Sequence, residues 1–240
     1  MEKVENIKWG LNRNILKYIA VIAMLLDHIA LMLIPAYTAL WVVLRVIGRL
    51  TAPIMCYFLA QGFFYTSNKF KYGLRLFIFA LISQFAYTFA FFNSFFVFDF
   101  NFIFTLFLCF LMLGAYTKIL NPFIKWACVI LIILLTYPCD WGLYAPLLVL
   151  MFYILKDYKQ QQIMAFVLIT LLFVVYQILT NVFSNISIIF PIIQLGLLLF
   201  IPVIYLYNQQ SGSKNRFHKW FFYIFYPLHL IVLGILNFFI

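Results

Sequence analysis

The chain has 240 residues, 67% of them hydrophobic and 9% charged, with 16 Lys and Arg against 6 Asp and Glu for a net charge of +10. A soluble domain averages about 25% charged residues, so this composition excludes a water-covered globule and specifies an integral membrane protein. Cys56, Cys109, Cys128 and Cys139 are scattered without metal-ligand spacing and read as small packing residues, so neither a disulfide nor a metal is expected.

In chain order, a polar start (MEKVENIKWGLNRN) precedes a first apolar run too long for the apolar part of a signal peptide, so no cleavable signal is expected. Nine apolar stretches follow, at roughly 15–36, 39–66, 73–92, 100–117, 122–137, 143–155, 163–181, 187–207 and 219–239. Most approach the ~20 residues that cross a bilayer, and the sixth is short. The predicted fold is an all-α polytopic membrane protein of about nine transmembrane helices in a single bundle, with one domain over 1–240.

Basic residues alternate between the connections. Lys3, Lys8, Arg13 and Lys17 precede or open the first stretch; Lys69, Lys71 and Arg75 follow the second. Lys118 and Lys125, then Lys156 and Lys159, then Lys214, Arg216 and Lys219 mark every second connection thereafter, and those between hold no Lys or Arg. The positive-inside rule then predicts a cytoplasmic amino terminus and an outside carboxy terminus. The positive charge is thereby explained by topology and the lipid bilayer, and nucleic acid is not implied.

Arg45 and Arg49 are the only basic residues outside this pattern. With Asp27 and His28 they place four ionisable groups in the first two stretches, where each costs roughly 2.5–3.5 kcal/mol at the bilayer centre unless it faces a partner or a wet cavity. Asp27 lies about 12 Å below the end of its helix at 1.5 Å per residue, and the two arginines bracket that depth. Four residues apart, the arginines share a helix face, whereas His28 faces about 100° away from Asp27. Pro53 has no N–H for the carbonyl of Arg49 and is expected to kink the second helix; Gly48 and Gly62 allow close approach. His229, two residues after Pro227, reaches mid-membrane from the last helix. Asp140 sits in CDWGLYAP, with Pro146 suited to a first helical turn. His218 is expected to be solvated.

These residues leave two readings open. Asp27 and an arginine make a structural ion pair, or the surplus guanidinium charge awaits an anion, for which the planar fork of Arg is suited.

Several stretches resemble the TraX family of membrane proteins, whose founding member acetylates conjugative F pilin. They are LKYIAVIAMLLDHIA (16–30), RVIGRLTAPIMCYFLAQGFFYT (45–66), KYGLRLFIFALISQ (71–84), NFIFTLFL (101–108), DWGLYAPLLV (140–149) and KWFFYIFYPLHLIVL (219–233), in family order. The chain departs from the family's usual residues at Thr51 and Trp141. A looser resemblance joins it to the wider transmembrane acyltransferases, in which a basic residue precedes a first-helix histidine by eleven positions, as Lys17 precedes His28.

The resemblance implies a bacterial cytoplasmic-membrane enzyme that moves an acetyl group from cytoplasmic acetyl-CoA to an amine, such as the amino terminus of a pilin or other exported polypeptide. Acyl transfer needs a base near neutral pH and positive charge near the developing oxyanion. His28 is assigned as base, with His229 the second candidate. Asp27 holds the arginines; Arg45, Arg49, Arg75 and Lys17 hold the donor, and Asp140 attracts the acceptor's cation. A secondary transporter would also embed Asp, His and Arg, but its expected internal repeat is not visible. A non-enzymatic assembly factor for a surface structure is the third class.

Overall fold

A computed structural model describes residues 9–92, 97–210, 212–213 and 215–239. Lys3, Lys8 and Lys214, part of the charge pattern above, lie outside the described residues, as do the side chains of Arg216 and Lys219. The described chain is all helical: α1 (Arg13–Leu33), α2 (Ala39–Gly48), α3 (Thr51–Tyr65), α4 (Lys69–Phe92), α5 (Phe102–Lys118) and α6 (Pro122–Leu135) come first. Then follow α7 (Tyr144–Ile154), α8 (Lys159–Phe183), α9 (Ile189–Ile193), a 3₁₀ segment (Gln194–Leu199), α10 (Phe200–Leu206) and α11 (Arg216–Phe239).

Short polar side chains start several of these helices by accepting otherwise unpaired backbone N–H groups. Asn12 caps α1, Thr38 caps α2, Asn101 caps α5, and Asn121 with Pro122 opens α6. α3 is the central helix. Ten of its fifteen residues are buried, and it packs on α1, α5 and α7. By contrast, α8 leaves Leu168, Leu172, Val175, Leu179 and Val182 open on its outer side. A continuous apolar surface of this kind belongs against lipid.

Among the described residues, six units are long and apolar enough to cross a membrane: Arg13–Leu33, Ala39–Tyr65, Lys69–Phe92, Lys159–Phe183, Ile189–Leu206 and Trp220–Phe239. The other three stretches of the expected nine form shorter helices, α5, α6 and α7, of 17, 14 and 11 residues. At 1.5 Å per residue these span about 26, 21 and 17 Å. The missing length is in the connections. The segment before Phe102 and the turn between α6 and α7 are drawn into the bundle, where Phe100 pairs with Cys139 as an isolated bridge. The longer α1 and α4 line a recess beside them.

The opposite end of the bundle gathers the described basic residues other than Arg45 and Arg49. Lys156 packs over the Phe64 ring, Lys159 over Tyr205, and Lys125 over Tyr116. At the same end the amino-terminal segment is clamped to the end of α10 and to Ser213, with Leu11 N–H donating to Leu206 O at 2.7 Å and Asn14 Nδ2 to Ser213 O at 2.8 Å.

Candidate functional site

The recess is built first by α1 and α2, which run antiparallel across a short loop. Asp27 meets both arginines there. Arg45 Nη1 donates to Oδ2 at 2.8 Å, and Arg49 Nη2 donates to Oδ1 at 2.6 Å and Oδ2 at 2.7 Å. A break in the helix makes this possible. At Arg49 and Leu50 the backbone tightens to 3₁₀ bonds, onto Val46 O and Ile47 O. The Arg45 carbonyl, relieved of its usual N–H, accepts Arg49 Nε at 3.2 Å instead. The break lies just ahead of Pro53, where the kink is expected. Arg49 Nη1 also donates to Gln194 Oε1 at 3.3 Å, whereas Arg45 Nε is buried with no partner among the described residues.

The turn between α6 and α7 supplies the facing wall. Asp140 N–H donates to Phe100 O at 2.7 Å, and Thr105 Oγ1 donates to Asp140 O at 2.6 Å. Trp141 and Leu143 both take φ of 60°. Leu143 centres a three-residue turn in which Tyr144 N–H donates to Gly142 O at 2.7 Å, a strained form for a branched residue. A methyl at Gly142 would overlap Thr136 O, so the turn closes only around glycine. This winding places the Trp141 ring over the Arg49 guanidinium at 5.0 Å and Asp140 in the same cavity. Burial pushes the Asp140 carboxyl up to about 7; Arg49 opposes that rise, while Asp27 and Asp99 add to it.

His28 takes a separate partner, as its helix angle to Asp27 requires. Its Nδ1 lies 2.7 Å from His229 Nε2, and His229 Nδ1 lies 2.9 Å from Phe225 O. His28 lines the cavity, whereas His229 is 5% exposed and lies behind it.

The cavity measures about 340 Å³ and gathers Asp27, His28, Arg45, Arg49 and Asp140 in one space. A second cavity of about 400 Å³ opens at the basic end, lined by Arg13, Lys17, Tyr72, Arg75, His218 and Tyr223 among others. Arg75 Nε donates to Tyr223 Oη at 3.0 Å. A small apolar space of about 40 Å³ lies between the two. It shares Met55, Ile103, Leu106 and Phe222 with the basic vestibule, and Met24, Thr51, Phe102 and Tyr226 with the Asp27 cavity.

The expected site residues thus fall into two groups. Asp27, His28, Arg45, Arg49 and Asp140 come together, with His229 one ring away, while Lys17 and Arg75 stand in the vestibule across the neck. His218, expected to be solvated, instead lines the vestibule and pairs through Nδ1 with Tyr18 Oη at 2.7 Å. Sequence reasoning missed Trp141 as the lid on Arg49, and Tyr72 and Tyr223 as vestibule walls; aromatic residues are too common in this chain to mark them. It also missed the role of Thr51, whose Oγ1 donates to Ala20 O at 3.0 Å inside the neck. Among the described residues no group of three or more His, Cys, Asp or Glu is placed to hold a metal ion.

The family model described as TraX protein matches residues 12–237. A probable fimbrial assembly protein FimC, serogroup H1, of Dichelobacter nodosus is 32% identical over 229 residues, covering 91% of this chain and 92% of that protein. An uncharacterised protein of Rickettsia prowazekii is 39% identical over 72 residues, covering 30% of this chain and 25% of that one. No solved structure matches the chain. The match of the family model along nearly the whole chain, over a bundle with six membrane-length helices, places it: the chain belongs to the TraX family and is a multi-pass protein of a bacterial cell membrane.

Proposed function

We propose that this protein is an acyltransferase that moves an acetyl group from acetyl-CoA to the amino group of an exported polypeptide, a pilin-like subunit being the acceptor that the family and the fimbrial relative suggest. In this reading all nine helical units cross the membrane, as one domain, with the amino terminus cytoplasmic and the carboxy terminus outside. The observation that carries it is the pair of polar cavities at opposite ends of the bundle, joined by an apolar neck, with the histidine beyond the neck.

The vestibule fits the charged end of the donor. Arg13, Lys17 and Arg75 offer cations to its phosphates, and Arg gives the paired N–H donors that suit them. Lys17 and His28 are eleven residues apart on one helix, or about 16 Å, a span for the extended thiol arm to cover through the neck. Met24 and Met55 line that neck, and flexible methionines move aside at low cost.

In the Asp27 cavity, Asp140 draws the acceptor's ammonium group toward the thioester. The ammonium group passes one proton to the Asp140 carboxylate, the freed amine attacks the carbonyl, and His28 Nε2 takes the second proton. A C–N bond forms, and the oxyanion develops beside the guanidinium pair of Arg45 and Arg49. Collapse breaks the C–S bond, and the proton held by His28 leaves on the thiolate as free CoA. Trp141 and Phe91 keep this space partly closed to water.

The test is to incubate membranes carrying the protein with acetyl-labelled CoA and an extract of envelope proteins. Label in a protein amide bond, lost with His28→Ala, supports the enzyme. Label retained by the membranes without transfer overturns it in favour of a transporter or an assembly factor.

A further inference from the structure

A backbone carbonyl can only accept a hydrogen bond. His229 Nδ1, 2.9 Å from Phe225 O, must therefore carry the His229 proton. In a neutral ring that leaves His229 Nε2 as a bare lone pair. The atom facing it at 2.7 Å is His28 Nδ1, which must then be the donor.

The ring geometry agrees. The two imidazole planes are parallel to within 4°, with centroids 5.0 Å apart, yet the facing nitrogens are 2.7 Å apart. A face-to-face pair would not bring ring atoms so much closer than the centroids. The rings instead meet edge to edge in nearly one plane, where an imidazole N–H and a lone pair point. Phe225 stacks on the His229 ring at 5.0 Å and 12°, and Tyr226 meets it edge-on at 5.7 Å, so His229 is held from its own helix. On the other side, Phe91 meets the His28 ring at 5.4 Å.

We propose that His229 is a positioning residue that fixes His28 in the tautomer with its proton on Nδ1, leaving His28 Nε2 as the bare base in the Asp27 cavity. Free imidazole side chains prefer the opposite tautomer, with the proton on Nε2, in which this base would be blocked. Asp27 does not supply the same orientation: its carboxylate faces Arg45 and Arg49, and His28 Nδ1 bonds His229 instead. His28 Nε2 itself has no hydrogen-bond partner among the described residues. When that nitrogen accepts a proton, the Nδ1 proton can pass along the shared bond to His229 Nε2. The positive charge then sits one ring further from the arginines, and no atom besides the proton moves.

The inference uses the proposed function only in naming His28 a base; the tautomer stands on geometry. The chain has three histidines, so ring-nitrogen-labelled histidine in the full protein, reconstituted in lipid, gives three spectra to separate by magnetic resonance. His218→Asn and His28→Ala assign them. The expected result at neutral pH is a protonated Nδ1 and a bare Nε2 for His28. A proton on Nε2, or on both nitrogens, overturns the proposal.

His229→Gln keeps an acceptor for His28 and a donor for Phe225 O, and is expected to preserve the His28 signature. His229→Leu is expected to release it to the Nε2-protonated form and to lower kcat about tenfold or more, leaving KM for acetyl-CoA unchanged. An unchanged His28 spectrum in His229→Leu also overturns the proposal. Should the wild-type chain show the expected tautomer but transfer no acetyl group, the acyltransferase reading fails and the positioning role stands.

Discussion

Gly48 lies so close to Asp27 that a methyl group added to the glycine would overlap the aspartate side chain. The contact sets the distance between α1 and α2, and with it the reach of both arginines. Gly48→Ala is expected to destabilise the protein by roughly 1–3 kcal/mol, as overpacking of a filled interior does. Thermal unfolding in detergent measures this. A variant as stable as wild type would show that the two helices can separate without loss.

Asp27 carries the buried Arg49 guanidinium and the largely buried Arg45 one, so its removal should be more damaging than the loss of either arginine. Asp27→Asn leaves two positive charges facing one another and is expected to cost about 3–5 kcal/mol. Adding Arg45→Gln to Asp27→Asn removes one of them and should recover part of the loss, a coupling that a double-mutant cycle measures.

Asp140 makes the stability of the fold depend on pH. Burial lifts its carboxyl from 3.8 to about 7 in the folded chain. Between those values the folded state binds more protons than the unfolded one, so stability falls as pH rises toward 7 and levels off above it. The proposed amine capture runs the other way, because only the carboxylate attracts an ammonium group. Asp140→Asn should flatten the stability profile in that window and remove an inflection near neutral pH from the transfer rate.

In the proposed acyltransferase, the neck separates donor binding from transfer. Ala20 is 1% exposed and lines the neck, so Ala20→Leu should close the passage without touching the vestibule. Acetyl-CoA binding, read as thermal stabilisation, should persist while acetyl transfer falls at least tenfold. Arg75→Gln should do the reverse, weakening donor binding by about tenfold for one lost charged hydrogen bond and leaving kcat near that of wild type.

Much of the Asp27 cluster was legible in the sequence, because charge is rare in an apolar chain and each embedded charge needs a reason. Asp27, Arg45 and Arg49 meet as their helical spacing requires, and Pro53 follows the break that turns Arg49 inward. The division of the basic residues into two sites was not legible. Lys17 and Arg75 obey the same positive-inside pattern as residues that line nothing, and only packing shows that they wall a cavity. The lengths of α5, α6 and α7 were hidden for a related reason. Hydropathy reports which residues avoid water, and the turn at Cys139 is as buried as a helix. Nor does the spacing of His28 and His229, 201 residues apart, carry any sign that their rings touch.

The short helices have an electrical consequence. A membrane voltage falls across whatever insulates one water phase from the other, and for most of a bilayer that is some 30 Å of hydrocarbon. In the proposed arrangement, with the recess open to one water phase and the vestibule to the other, the insulating layer narrows to the neck around Ala20, Met24, Thr51 and Met55. Nearly the whole drop is then concentrated there, at about 2.3 kcal/mol per elementary charge for each 100 mV. A proton or anion moved along that short stretch would feel the cell's energised state directly. Proteoliposomes with an imposed potential should therefore work at a different rate from the same vesicles at rest.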